Sequence, residues 1–151
     1  MNNFQSRVFD IEIQFNFANY IKCKQLSAIC KVLTKVVSSI TISYTNIPDS
    51  KQFTKLFISC AYVETLIFDL YDAPKLDFLK LNSKVRFGIK YLQFRLKHAD
   101  DLLTLLTQID VAPSLKPERV DVTVFESEIK LTNEDLSIFK FRVRLCANTK
   151  I

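Results

Sequence analysis

The chain of 151 residues has one glycine, Gly88, one histidine, His98, one methionine and no tryptophan. A single glycine excludes glycine-rich phosphate loops, because neither GxGxxG nor GxxxxGK[ST] can be written anywhere. The four cysteines, Cys23, Cys30, Cys60 and Cys146, show no CxxC spacing and no compact framework. They read as buried thiols of a reducing compartment. No apolar run approaches the roughly 20 residues of a membrane span. The first residues run into Asp10 and Glu12 without the apolar stretch of a signal peptide. No Asn-x-Ser/Thr site occurs. A soluble cytoplasmic protein with no membrane partner is expected.

What is present suits a globular core: 48% hydrophobic residues, 25% charged, 13 Phe and 5 Tyr. The length fits a single domain over 1–151, which also suits one piece of a longer repeat array. The net charge of +5 permits acidic partners or nucleic acid without demanding either.

Self-similarity organises the chain. Six triplets alternate apolar residues with others: Ile11-Ile13-Phe15, Ile40-Ile42-Tyr44, Leu66-Phe68-Leu70, Leu92-Phe94-Leu96, Val120-Val122-Val124 and Phe141-Val143-Leu145. Period 2 with β-branched and aromatic residues marks strands with one buried face. The triplets start at positions 11, 40, 66, 92, 120 and 141, giving spacings of 29, 26, 26, 28 and 21. Such intervals are too long for hairpins and fit one strand plus one helix per unit.

The longer intervals carry helical stripes. Over 20–36 the stripe is Leu26, Ile29, Cys30 and Leu33, and over 50–63 it is Phe53, Leu56, Phe57 and Cys60. Pro48 and Asp49 signal the start of the second helix. Over 99–110, Asp100 and Asp101 are expected in the first turn, followed by Leu102, Leu105, Leu106 and Ile109. The interval 74–84 holds a shorter candidate with Leu76, Phe78 and Leu79, and 133–136 at most a turn or two.

Strands joined by helices run parallel with right-handed crossovers. The positions between the apolar triplets are mostly polar: Glu12 and Gln14, Thr41 and Ser43, Gln93 and Arg95, Asp121 and Thr123, Arg142 and Arg144. Helices therefore cover one sheet face only, which excludes a doubly wound sheet. The expected fold is α/β, a short right-handed β/α solenoid of about six parallel strands. An α+β sandwich with antiparallel pairs and one open face is the alternative.

On a common frame the units resemble leucine-rich repeats of the longer, helix-containing type, whose core reads L-x-x-L-x-L-x-x-N/C-x-L. Val8, Ile11, Ile13, Asn16 and Ala18 fit one copy; Val37, Ile40, Ile42 and Ile47 a second; Val63, Leu66, Phe68 and Ala73 a third. Ile89, Leu92, Phe94 and Ala99 form a fourth, Val120 and Val122 carry a fifth with Pro117 in its first place, and Ile138, Phe141, Val143 and Cys146 a sixth. The run from Cys60 to Phe68 looks like the cysteine-containing subtype. Only Asn16 and Cys146 supply the ninth-position residue that bonds neighbouring turns. The resemblance implies an adaptor or scaffold role.

Chemistry has little material here. His98 beside Asp100 and Asp101 reads as a solvent-exposed loop histidine rather than a general base. Cys23 and Cys30, seven apart on one helix, read as core rather than metal ligands. No enzyme, cofactor or metal is expected. Surface recognition remains. One column of the open face is Glu12, Thr41, Ile67, Gln93, Asp121 and Arg142; the next is Gln14, Ser43, Asp69, Arg95, Thr123 and Arg144. With Tyr91, these form the expected partner-binding set. Charge grades from Asp10 and Glu12 to Lys140, Arg142 and Arg144, with Arg95, Lys97 and Arg119 adding to the basic end. An acidic protein segment is the expected partner, with nucleic acid as the alternative. Bare terminal edge strands invite cover by a partner or by self-association.

Overall fold

The computed structural model describes residues 10–15, 20–44, 49–77, 81, 85–98 and 100–147. Along the chain lie β1 (Asp10–Phe15), α1 (Tyr20–Leu33), β2 (Ser39–Tyr44), α2 (Ser50–Ser59), β3 (Thr65–Leu70), β4 (Tyr91–Leu96), α3 (Leu102–Val111), β5 (Arg119–Val124), α4 (Asn133–Leu136) and β6 (Arg142–Ala147). The six strands form one sheet in sequential order, and every pair is parallel. The fold is α/β. Uniformly parallel pairing overturns the antiparallel sandwich alternative. The sheet is open, with β1 and β6 at its edges.

Alternation decides which side is buried. Ile40, Ile42, Leu66, Phe68, Leu92, Phe94, Val120 and Val122 are buried on one face. They share a core cluster with Leu26 and Cys30 of α1, Phe53, Leu56 and Phe57 of α2, and Leu102, Leu105, Leu106 and Ile109 of α3. Among the described residues, none of the outward row belongs to that cluster. Its centre is aromatic: the Phe68 ring lies 4.9 Å from Phe53, 6.0 Å from Phe57 and 5.9 Å from Phe94, centroid to centroid. Each fully buried side chain of this size contributes roughly 2–3 kcal/mol of transfer free energy.

Local signals set the helix ends. The Asp49 carboxylate accepts from the Gln52 N–H at 2.8 Å and caps α2. Thr132 and Asp135 form a reciprocal capping box that holds the single turn of α4. α3 begins three residues later than the expected 99–110 and ends one later, at Val111. Asp100 and Asp101 precede it, and Asp101 stands as its N-cap in the left-handed region (φ 61°) without a side-chain cap bond. Of the stripe expected on α1, Ile29 is exposed, while Ser27 and Thr34 are buried instead. Pro48 and, of the expected segment 74–84, residues 78–80 and 82–84 lie outside the described residues. Leu76 is nevertheless buried, and 74–77 has no regular structure.

Polar side chains tie consecutive units together. Thr34 Oγ1 accepts from the Tyr62 N–H at 2.8 Å, and buried Thr54 Oγ1 accepts from the Asp77 N–H at 2.7 Å. The Gln108 amide bonds both the N–H and the carbonyl of Leu76. The Asp110 carboxylate accepts from the Lys140 N–H at 2.9 Å.

The last unit departs from the frame. Val120 pairs in register with Val143, not with Phe141. The interval is therefore 23 residues (120 to 143), two more than the sequence pattern suggests. Phe139 and Phe141, rings stacked at 5.4 Å, are buried in the approach to β6 and hold the strand back. A two-residue slip keeps every side chain on its expected face, because the strand period is two. It changes which neighbours meet. The first frame position, Ile138, is consequently exposed, as is Cys146.

Candidate functional site

The outward row of the sheet is arranged by strand register. Each strand pairs first residue to first residue, so Ser39, Thr65, Tyr91, Arg119 and Arg142 form one column. Thr41, Ile67, Gln93, Asp121 and Arg144 form the next, and Ser43, Asp69, Arg95, Thr123 and Cys146 the third. The slip at β6 corrects the expected columns. Arg142 sits beside Arg119 rather than Asp121, and Arg144 sits beside Asp121 rather than Thr123. Glu12 and Gln14 hold register with Thr41 and Ser43, and their side chains lie outside the described set. Thr41, Ser43, Ile67, Tyr91, Gln93, Arg95, Asp121 and Thr123 are half-buried; Asp69, Arg142 and Arg144 are exposed.

A charged cluster forms where the columns cross β4, β5 and β6. The Arg119 guanidinium stands 5.0 Å over the Tyr91 ring, and its Nε donates to Asp121 Oδ2 at 3.1 Å. Asp121 Oδ1 lies 3.9 Å from Arg144 Nε, too far for a hydrogen bond, and is buried without a hydrogen-bond partner. One carboxylate thus stands between two arginines. Arg142, directly beside Arg119, and Arg95 have no ion-pair partner among the described residues. Like charges on adjacent strands repel, so this end of the face favours an incoming anion. Arg119 escaped the expected binding set because its importance depends on register, which puts Tyr91, Arg119 and Arg142 in one row.

Beyond the sheet end, His98 is half-buried rather than solvent-exposed. Its ring lies 5.1 Å from Tyr71, over which Lys97 Nζ stands at 5.1 Å. Lys97 also meets Glu126 at 3.5 Å. A cleft of about 610 Å³ lies between the start of α3 and residues 127–131, with Asp101, Glu128 and Lys130 in its walls. A second, of about 550 Å³, includes Asp110, Lys140 and Phe141. Among the described residues, neither is lined by a histidine or a cysteine. Among the described residues no group of three His, Cys, Asp or Glu could hold a metal ion.

Two cysteines meet that sequence spacing does not pair. Cys30 of α1 and Cys60 after α2 are both fully buried and share a hydrogen bond between their thiols. That bond, with burial and the neighbouring thiol's charge adding to it, pushes the Cys60 thiol well above its ordinary range. The Cys23 side chain lies outside the described set. No described helix is long and apolar enough to cross a membrane. Compared with protein-family profiles, curated proteins and solved structures, the chain matches none.

Proposed function

We propose that this chain is a non-catalytic protein-binding module, a short leucine-rich-repeat-like solenoid that offers its outward strand face to an acidic segment of a protein partner. The role is that of an adaptor or scaffold in the cytoplasm, a compartment that suits the free thiols of Cys30 and Cys60. The observation that carries the reading is the Tyr91–Arg119 platform, flanked by Arg95 and Arg142 without carboxylate partners among the described residues. Aromatic and arginine side chains together are the usual anchors of protein interfaces. Asp121, set among the arginines, disfavours a continuous phosphate backbone and so ranks nucleic acid second.

The test uses the partner recovered with tagged wild-type protein and then purified. Its binding is compared with that of the double variant Tyr91→Ser, Arg95→Glu, whose fold is checked by circular dichroism. A loss of at least about tenfold in affinity is expected. A partner that binds the folded variant as tightly as wild type overturns the reading. A nucleic acid bound with a steep logarithmic salt slope overturns it in favour of the alternative.

A further inference from the structure

The two edges of the sheet are complementary. β6 is the last strand, and its outer edge has no strand partner among the described residues; β1 occupies the other edge in the same position. An unpaired edge is a row of open backbone donors and acceptors. Lysine and arginine usually guard such edges, and β6 carries Arg142 and Arg144, both exposed, in alternation with half-buried Val143 and Leu145. β1 alternates acidic with apolar residues at the same places, Asp10-Ile11-Glu12-Ile13.

All five strand pairs align first residue with first residue. Continuing that rule past β6 sets Arg142 beside Asp10, Val143 beside Ile11, Arg144 beside Glu12 and Leu145 beside Ile13 of another copy. In that register the acidic positions of β1 fall beside the arginines of β6, and its apolar positions fall beside Val143 and Leu145. Two β6 edges brought together would instead oppose arginines, so the match is heterologous, head to tail.

The helical side offers a second, independent match. Ser27 of α1 and Thr34, just after its end, are buried, and Thr34 bonds the next unit through Tyr62. At about 100° per residue, Ile29 and Val32 lie nearly opposite Ser27 on the helix. They therefore face away from the second unit, at the β1 end of the molecule. Both are exposed, with Val32 at 69%, and Val36 follows them, also exposed. At the β6 end, Ile138 is 72% exposed, and Leu136, Val143 and Leu145 are only partly covered.

We infer that a second copy of this chain docks on the β6 edge through its β1 edge, extending the parallel sheet in register. Repetition of one heterologous contact gives an open-ended array unless the rotation closes a ring. This site lies on the edges, while the partner-binding test alters only β4, so the two readings fail separately.

Sedimentation velocity of the purified full chain tests the inference. The wild-type weight-average mass should rise above 17.5 kDa with concentration and fall with salt. The variants Arg142→Glu/Arg144→Glu and Asp10→Lys/Glu12→Lys should each sediment at 17.5 kDa. Mixed in equal amounts they should associate again, because each then finds a complementary edge. Val32→Lys, at an exposed helix position that leaves folding intact, should also weaken the association. A wild-type chain of constant mass overturns the inference, as does association that the charge variants leave unchanged or a mixture that stays monomeric.

Discussion

The middle of the sheet and its last strand share one alternating pattern and reach different ends. β4 and β5 bury every second side chain, and Leu92, Phe94, Val120 and Val122 are at most 1% exposed. In β6 the equivalent Val143 and Leu145 are only half-buried. The strands do not differ in alternation; their cover does. α2 and α3 lay ten-residue helices with four buried residues each over the core, whereas α4 is a single turn with none. Strand burial here is a property of the interval beside the strand. Where the helix is missing, Phe139 and Phe141 fill the space and move the register by two.

Several changes would break or sharpen this contrast. The largest effect is on thiol reactivity. In a Cys23→Ser background, a thiol reagent should modify exposed Cys146 at once and reach Cys30 and Cys60 only through opening of the core, at least about a thousandfold more slowly. As the pH rises, Cys30 should react before Cys60, because the bond they share lowers the Cys30 thiol and, with burial adding to it, holds the Cys60 thiol well above its ordinary range. Prompt labelling of all three would show that the core opens freely.

Next comes packing. Phe68→Ala removes a fully buried ring that touches three others and should cost about 3–5 kcal/mol in denaturant unfolding. Val143→Ala, on the half-covered strand, should cost under about 1 kcal/mol. Equal losses would mean that β6 is as well packed as the centre. The smallest effect compares the caps. Asp49→Ala should lose about 1 kcal/mol, since it unseats a helix that carries core residues. Thr132→Ala should lose less, because α4 buries nothing.

Much of the architecture was legible in the alternation. Six strands, their parallel order and their inward faces follow from triplets such as Leu66-Phe68-Leu70, because period 2 over a helix-length spacing leaves few other solutions. The faces of the site residues on β2 to β6 were legible for the same reason, and survive even the slip at β6. Their neighbours were not. Whether Arg144 meets Asp121 or Thr123 depends on where Phe139 and Phe141 are buried, a tertiary matter that no spacing encodes. Ile29 misled because an i, i+3, i+4 stripe is also satisfied by an exposed apolar residue on a helix flank. The thiol pair Cys30–Cys60 was hidden too, since it joins α1 to the residue that follows α2, 30 positions on (30 to 60).

The bonds of Thr34, Thr54, Gln108 and Asp110 have a consequence for how such a chain can change in length. Each supplies a partner for backbone groups of a neighbouring unit, and Thr54 does so from full burial. A unit cut out of the chain takes its neighbour's hydrogen-bond partner with it and, at the part-buried bonds of Thr34, Thr54 and Gln108, leaves a peptide group without that partner. Sequential order alone would let units be deleted or duplicated like links. These bonds make them non-interchangeable parts, so an insertion or loss is tolerated only where a Thr, Gln or Asp returns to the junction.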